Sequence, residues 1–225
     1  MKRKKVISIA VGVIMLTFSA GALTANLLIS SRITSKIHNE LPKASGISTS
    51  IPLLDAPQNL LTSSIKSASI KIDNYSLKGS NTDSSLAIKA ENIAKKQPTI
   101  IGTLDVTATV SAATILENAE FENAQIVGNT LQISVGAGGL GKASLVPRYT
   151  NNQIYFQLES VSILGSKIPA SSLPEDIQAQ IKSKSVRSLD VPKGLKVKSV
   201  SISPKGLAVN LRGTNIQLTK LGKEF

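Results

Sequence analysis

Cysteine is absent from this chain of 225 residues, tryptophan is absent too, and histidine occurs once, as His38. Without cysteine there is no disulfide and no thiolate metal ligand, so non-covalent packing alone must hold the fold. One histidine is too few for a two-histidine metal site, and it is a poor base for a serine nucleophile because its helix adjoins the N-terminal apolar segment. Phe, Tyr and Trp together make up 3 % of the chain, too little for the stacked aromatic faces on which sugars and single-stranded nucleic acids rest. No catalytic residue, metal or cofactor is expected.

What the chain does contain begins with a basic cluster, Lys2, Arg3, Lys4 and Lys5, followed by Val6 to Ser31 without a charged side chain. A cationic flank before a long apolar run is the pattern of an export signal or a membrane anchor, with the basic end left in the cytoplasm. Val6 to Leu28 is long enough to span a bilayer, which takes roughly 20 residues. However, Ala20-Gly21-Ala22 and Thr24-Ala25 offer small-residue cleavage sites, so the residues leave open whether residues 1–31 are kept as an anchor or removed. Either way everything after Arg32 is expected outside the cytoplasm, tethered to the cell membrane or released into the envelope. Nucleic acid is thereby removed as a partner, and the missing cysteines favour a bacterial envelope.

Charge is unevenly placed. Setting the four cytoplasmic cations apart from the 26 basic groups leaves 22 against 14 acidic ones. Gln97 to Gly141 holds no basic residue and four acidic ones, whereas Ile181 to Lys223 holds ten basic residues and only Asp190. Such a basic surface suits anionic lipid head groups, with Lys193, Lys196 and Lys198 as candidates. It equally suits simple solubility.

Ile29, Ile33, Ile37 and Leu41 recur every four residues up to Pro42, which predicts an amphipathic helix. Residues 32–50 are read as this helix and a linker, small and polar from Lys43 to Ser50. Residues 51–225 are read as one α+β domain. A short leucine-rich helix is expected from Asp55, with Leu60, Leu61 and Ile65 on its apolar side. The period then changes to two, as in strands with one dry face: Ala68, Ile70 and Ile72; Leu86, Ile88 and Ala90; Leu104, Val106, Ala108 and Val110; Leu131, Ile133 and Val135; Leu207, Val209 and Leu211. Two longer runs swap faces midway, Ile154-Phe156-Leu158 to Val161-Ile163 and Leu195-Val197 to Val200-Ile202, and each predicts a bulge or bend. Helices are expected over Ser111–Asn118 and Ser172–Lys184, and a hairpin at Ser203-Pro204-Lys205-Gly206.

Gly136 to Lys142 nearly satisfies a phosphate-binding glycine loop. Ala143, however, lacks the hydroxyl for magnesium, and the strand-like run to Thr150 leaves no helix N-terminus for a phosphate, so a hairpin loop is expected. Asp105, Glu117, Glu120 and Glu122 read as a solvated acidic face, the alternative being paired carboxylates that hydrolyse a lipid or glycan. The apolar positions Leu53, Leu54, Leu60, Leu61, Leu104, Val106, Val110, Leu131, Ile133, Ile154 and Phe156 fit two readings: a plain core, or the lining of a groove for acyl chains.

The anchor with its amphipathic helix, Ile51-Pro52-Leu53-Leu54, the long bent strands, Val191-Pro192-Lys193-Gly194-Leu195, and Pro204-Lys205-Gly206-Leu207 together resemble the LmeA-like phospholipid-binding family of bacterial envelopes, from about Ile29 to Gly213. Leu53 stands where that family tends to have an aromatic. The resemblance implies a strongly curved, mainly antiparallel sheet packed around a helix as an elongated apolar groove, with phospholipid as ligand and a part in lipid or glycolipid assembly. The alternative is a non-catalytic scaffold that binds a protein or an acidic wall polymer through its basic C-terminal surface.

Overall fold

The computed structural model describes residues 34–35, 37–38, 41, 43–50, 64–75, 83–94, 99–119, 121, 123–135, 140–172 and 175–217. The apolar N-terminal segment, the helix expected from Asp55, the candidates Leu53, Leu54, Leu60 and Leu61, and Gly136–Gly139 of the glycine loop lie outside these residues. Among the described residues no helix is long and apolar enough to cross a membrane.

The protein is mostly antiparallel β-sheet, and its described residues fall into two compact units. The first comprises residues up to Ala108 together with Asp190–Lys198 and the chain from Asn210; the second comprises Thr109–Leu189 and Ser199–Val209. Twelve strands are described. One sheet has the order β1 (Ser45–Ser50), β2 (Ser64–Tyr75), β3 (Ser84–Ala94), β4 (Ile100–Ser111), β12 (Gly206–Gln217) and β11 (Leu195–Ser203).

In the first unit the period-two pattern becomes a dry face and a wet face. Ala68 faces Ala90, Ile70 faces Ile88 and Ile72 faces Leu86 across β2 and β3, and all six are buried. Between them Lys71, Ala87 and Lys89 are exposed. Along β4 and β12 the same dry face continues through Leu104, Val106 and Leu211, each 2 % exposed or less. Ile37 of the amphipathic helix and Leu41 at its end are also buried while Ser35 and His38 are exposed, as the four-residue spacing requires.

Two expectations are corrected here. Ser45–Ser50 is not linker but an edge strand, pairing Ile47 with Ile72 and Thr49 with Ile70. Its Ser, Gly and Thr content outweighed the weak Ile47–Thr49 alternation when read as sequence, yet the open edge of β2 accepts any backbone that can donate and accept in register. Ile65 is not on a helix either; it is buried in β2 opposite Ile93.

The second unit holds a sheet of order β10 (Arg187–Ser188), β8 (Gln153–Ile163), β7 (Gly141–Thr150), β6 (Thr130–Val135) and β5 (Gln125–Val127), with β9 (Ser166–Pro169) on β8. Leu131, Ile133, Leu145, Phe156, Leu158 and Val161 form its core with Ile181 and Ile202. The face swap expected in β8 is a bulge. Ser144 opposes Ser160 but Leu145 opposes Leu158, which leaves Glu159 unmatched and lets Ser160 and Val161 both be buried. In β11 the corresponding swap leaves Lys198 and Ser199 both exposed, at the point where the strand passes from the first unit to the second.

Both helices expected in the second unit are present. Helix α1 (Ala112–Glu117) is capped by Ser111, whose hydroxyl accepts from Thr114 N at 3.2 Å, satisfying a donor that the first turn leaves without a partner. Helix α2 (Glu175–Ser185) follows a 3₁₀ turn and is tied to β8, as Phe156 N donates to the Ser185 hydroxyl at 2.9 Å.

The hairpin joining β11 to β12 depends on Gly206, whose φ is +130° and whose added Cβ would lie 1.9 Å from the Val110 carbonyl oxygen. Gly206→Ala is therefore expected to cost about 3 kcal/mol or more in urea unfolding. Gly128 lies in a turn with no atom close to an added Cβ, so Gly128→Ala should cost only about 1 kcal/mol from its left-handed φ.

Candidate functional site

The strands β2, β3, β4 and β12 of the first unit build an apolar surface on their dry face. Over the seven steps from Ala68 to Tyr75 a strand covers about 23 Å, whereas Ile65, an odd step before Ala68 in unshifted register, is buried on the other face. Apart from the alanines, the inward residues of the dry face on β2 and β3 are branched aliphatics until the end, where Tyr75 opposes Ser84. These two bring the polar groups of that end inside: Tyr75 is 2 % exposed and Ser84 4 %. The Ser84 hydroxyl makes no hydrogen bond of acceptable geometry, even to the phenol opposite it, so its pull on Tyr75 is weak. Burial dominates and pushes the Tyr75 phenol up to about 12, with Ser84 acting the other way, because a phenolate loses more hydration than a phenol when buried.

The wet face of the same unit carries a cleft of about 430 Å³ with Ser50, Ser69, Lys71, Lys89, Asp105 and Thr107 along it. Its charges are paired. Lys71 meets Asp73 at 2.6 Å, Lys89 meets Glu91 at 2.6 Å, and Arg212 Nε lies 3.7 Å from Asp105. The hydrogen bond and charge of Lys89 hold Glu91 below the usual carboxylate range, and Glu91 raises Lys89 in return. Thr107 donates to Asn210 at 2.7 Å, and Asp105 meets Arg212, so β4 and β12 run antiparallel. With its one carboxylate already facing a cation, the cleft offers no free pair of acids for general acid–base work. Glu117 belongs to the other unit from Asp105. Among the described residues no three His, Cys, Asp or Glu side chains converge as a metal site.

The apolar candidates separate into two interiors. Leu104 and Val106 belong to the dry face of the first unit. Leu131, Ile133 and Phe156 pack together in the core of the second, Ile154 is buried in that unit, and Val110 is half-buried there. None of them borders the cleft. Lys193, Lys196 and Lys198 belong to the first unit; Lys193 and Lys196 are exposed, and so is Lys198. Because β11 turns Leu195 inward, Lys196 and Lys198 point to the opposite face, whereas Lys193 sits in the turn before the strand. Sequence reasoning did not single out Tyr75 or Ser84; the signal was present, since Tyr75 continues the inward set of β2 after a register shift. Gly141–Thr150 is a strand, as expected, and so no helix follows the glycine loop.

Compared with known proteins, the chain matches no family model, no curated protein and no solved structure.

Two outcomes follow from the Tyr75–Ser84 pair. The unfolded chain loses the phenolic proton near 10 and the folded one near 12. This group's contribution to stability is therefore complete below about pH 10 and is lost as pH rises through about 12. Tyr75→Phe should remove that alkaline loss in denaturation curves. Ser84→Ala removes an unbonded buried hydroxyl and should leave stability unchanged or raise it by about 1 kcal/mol.

Proposed function

We propose that this protein binds phospholipid at the outer side of a bacterial membrane, tethered or exported by its N-terminal segment, and acts in envelope lipid or glycolipid assembly. Supporting the reading is the likeness of its Pro, Gly and aliphatic positions to the LmeA-like family. The observation that carries it is the aliphatic dry face of the first unit. A bilayer's hydrocarbon is about 30 Å thick, so one acyl chain needs about 15 Å, about two thirds of the length of that face. Leu104 and Val106 would contact the chain and the curved sheet would wrap it. The Lys193 ammonium, in the turn before β11, is the head-group candidate placed at the end of a strand.

The physical demand on such a carrier is large. At roughly 0.8 kcal/mol per CH₂, a 16-carbon chain leaving the bilayer must recover about 12 kcal/mol of apolar contact. Only a face that stays aliphatic throughout its length can supply it. Since the lining side chains are buried, a lipid must displace what covers them, and the helix containing Ile37 is the element that joins the unit to the N-terminal apolar segment. Holding the unit beside the bilayer raises the effective lipid concentration it meets.

A second reading, a scaffold for a protein or an acidic wall polymer, is favoured by the exposure of Lys193, Lys196 and Lys198 around the edge strand β11. Salt would abolish such binding, while an acyl chain held in the interior would resist it.

Native mass spectrometry and lipid extraction of the portion from Arg32 to Phe225 distinguish the two. Phospholipid should co-purify. Val106→Trp, which fills the dry face at an overpacking cost of about 1–3 kcal/mol, should lower the bound lipid several-fold. Thr107→Trp, its neighbour on the wet face, should leave it unchanged. A wild-type protein that always emerges without lipid, or a Val106→Trp variant that retains it, overturns the proposal.

A further inference from the structure

The second unit exposes a cluster of large apolar side chains at one end of its sheet. Leu164, in the turn between β8 and β9, is 84 % exposed, Leu140 67 % and Ile163 44 %. They are neighbours by register: Gly141, next to Leu140, pairs with Ile163, and Ile163 pairs with Ser166. One residue behind, about 3.3 Å along the strands, Lys142 pairs with Ser162 and Ser162 with Lys167. Both lysines are exposed, and among the described residues neither has an ion-pair partner. No Asp or Glu occurs in Val135–Arg148 or in Ser160–Leu173.

Turn chemistry does not explain Leu164. It sits at φ +49° and Gly165 at +85°, the left-handed pair of a tight hairpin turn. Asn is the side chain that tolerates the first position. This chain uses it in the hairpin between β7 and β8, where Asn151 and Asn152 have φ of +48° and +57°. At the β8–β9 turn a bulky apolar residue takes the same strained backbone and points its side chain into water. Strain together with exposure, at the outermost point of an apolar cluster, indicates a surface that is not in water when it works.

We propose that the β8–β9 tip is a membrane-docking element: Leu164, Ile163 and Leu140 enter the head-group region of an anionic bilayer, and Lys142 and Lys167, one residue back, meet its phosphates. Cations set immediately behind an apolar tip, with no carboxylate in either flanking stretch, match the order of layers met on entering a lipid surface. A protein partner would not require this pairing of apolar tip and anion-seeking row. The tip shares no residue with the interior of the first unit, and it goes beyond the lipid-binding reading.

The absence of cysteine provides the test. In the full-length chain, Leu164→Cys gives a unique thiol for an environment-sensitive dye, and Val127→Cys, an exposed position in the β5–β6 hairpin away from this row, gives the control. With vesicles of equal parts phosphatidylcholine and phosphatidylglycerol, the dye at 164 should shift to the blue and be quenched by spin labels carried on the acyl chains, while the dye at 127 should not respond. Lys142→Glu with Lys167→Glu should weaken the response at 164 by roughly five-fold per lysine, and pure phosphatidylcholine should weaken it similarly. A dye at 164 that stays in water, equal responses at 164 and 127, or a shift that appears without vesicles and grows with protein concentration each overturns the proposal. Failure of phospholipid to co-purify with the interior leaves this readout untouched, so the two proposals fail independently.

Discussion

Burial of small branched aliphatic side chains on one face of each strand is the constraint on which everything else in this protein rests. With no disulfide available, each unit must exclude water from a continuous apolar layer, and the pleat provides this by sending alternate residues inward. The consequences reach the smallest details. Where the inward set must change faces, β8 takes up Glu159 as a bulge so that both Ser160 and Val161 can be inside. Where β12 begins against β4, Gly206 leaves room for the Val110 carbonyl.

The same constraint determines what the wet faces can be. Residues excluded from the interior are Ser, Thr, Lys, Asp and Glu, and on the first unit they neutralise one another in short pairs along and across strands. Such exposed pairs contribute little to stability, on the order of 0–1 kcal/mol each. Their effect is to leave the charges along the wet-face cleft neutralised, on one side of a sheet whose other side is aliphatic along most of its length. Further lysines stand elsewhere, on β11 and on the β7–β9 row. That separation of an apolar interior from lysines at strand edges and tips is what a lipid-facing protein needs, and both proposals draw on it.

Much of this was legible before any coordinates. Ile70, Ile72, Leu86, Ile88, Leu104, Val106, Leu131 and Leu211 were identifiable as inward, because alternation is a local property of the pleat. The helix beginning near Ser111 and the Pro204-Lys205 turn were identifiable because helix starts and turns are decided within a few residues. Ser45–Ser50 was not, since an edge strand of small polar residues is specified by its neighbour's open hydrogen bonds rather than by its own side chains. The tip was hidden for a related reason: Leu140 and Ile163 are far apart in the chain, and only strand register makes them adjacent.

By itself, then, the sequence determined the period of the strands, the cysteine-free and aromatic-poor chemistry, the basic C-terminal region and the charge-free N-terminal run. These are properties of neighbouring residues, and short-range geometry suffices to read them. The tertiary structure alone decided that the apolar candidates divide between two interiors, that Tyr75 and Ser84 lie buried against each other, that Asp105 is answered by Arg212, and that three exposed apolar residues and two lysines stand at one end of a sheet. Each of those facts joins residues that are not neighbours in the chain, and pairing between strands is set by the cooperative choice of sheet order and register, which no local pattern contains.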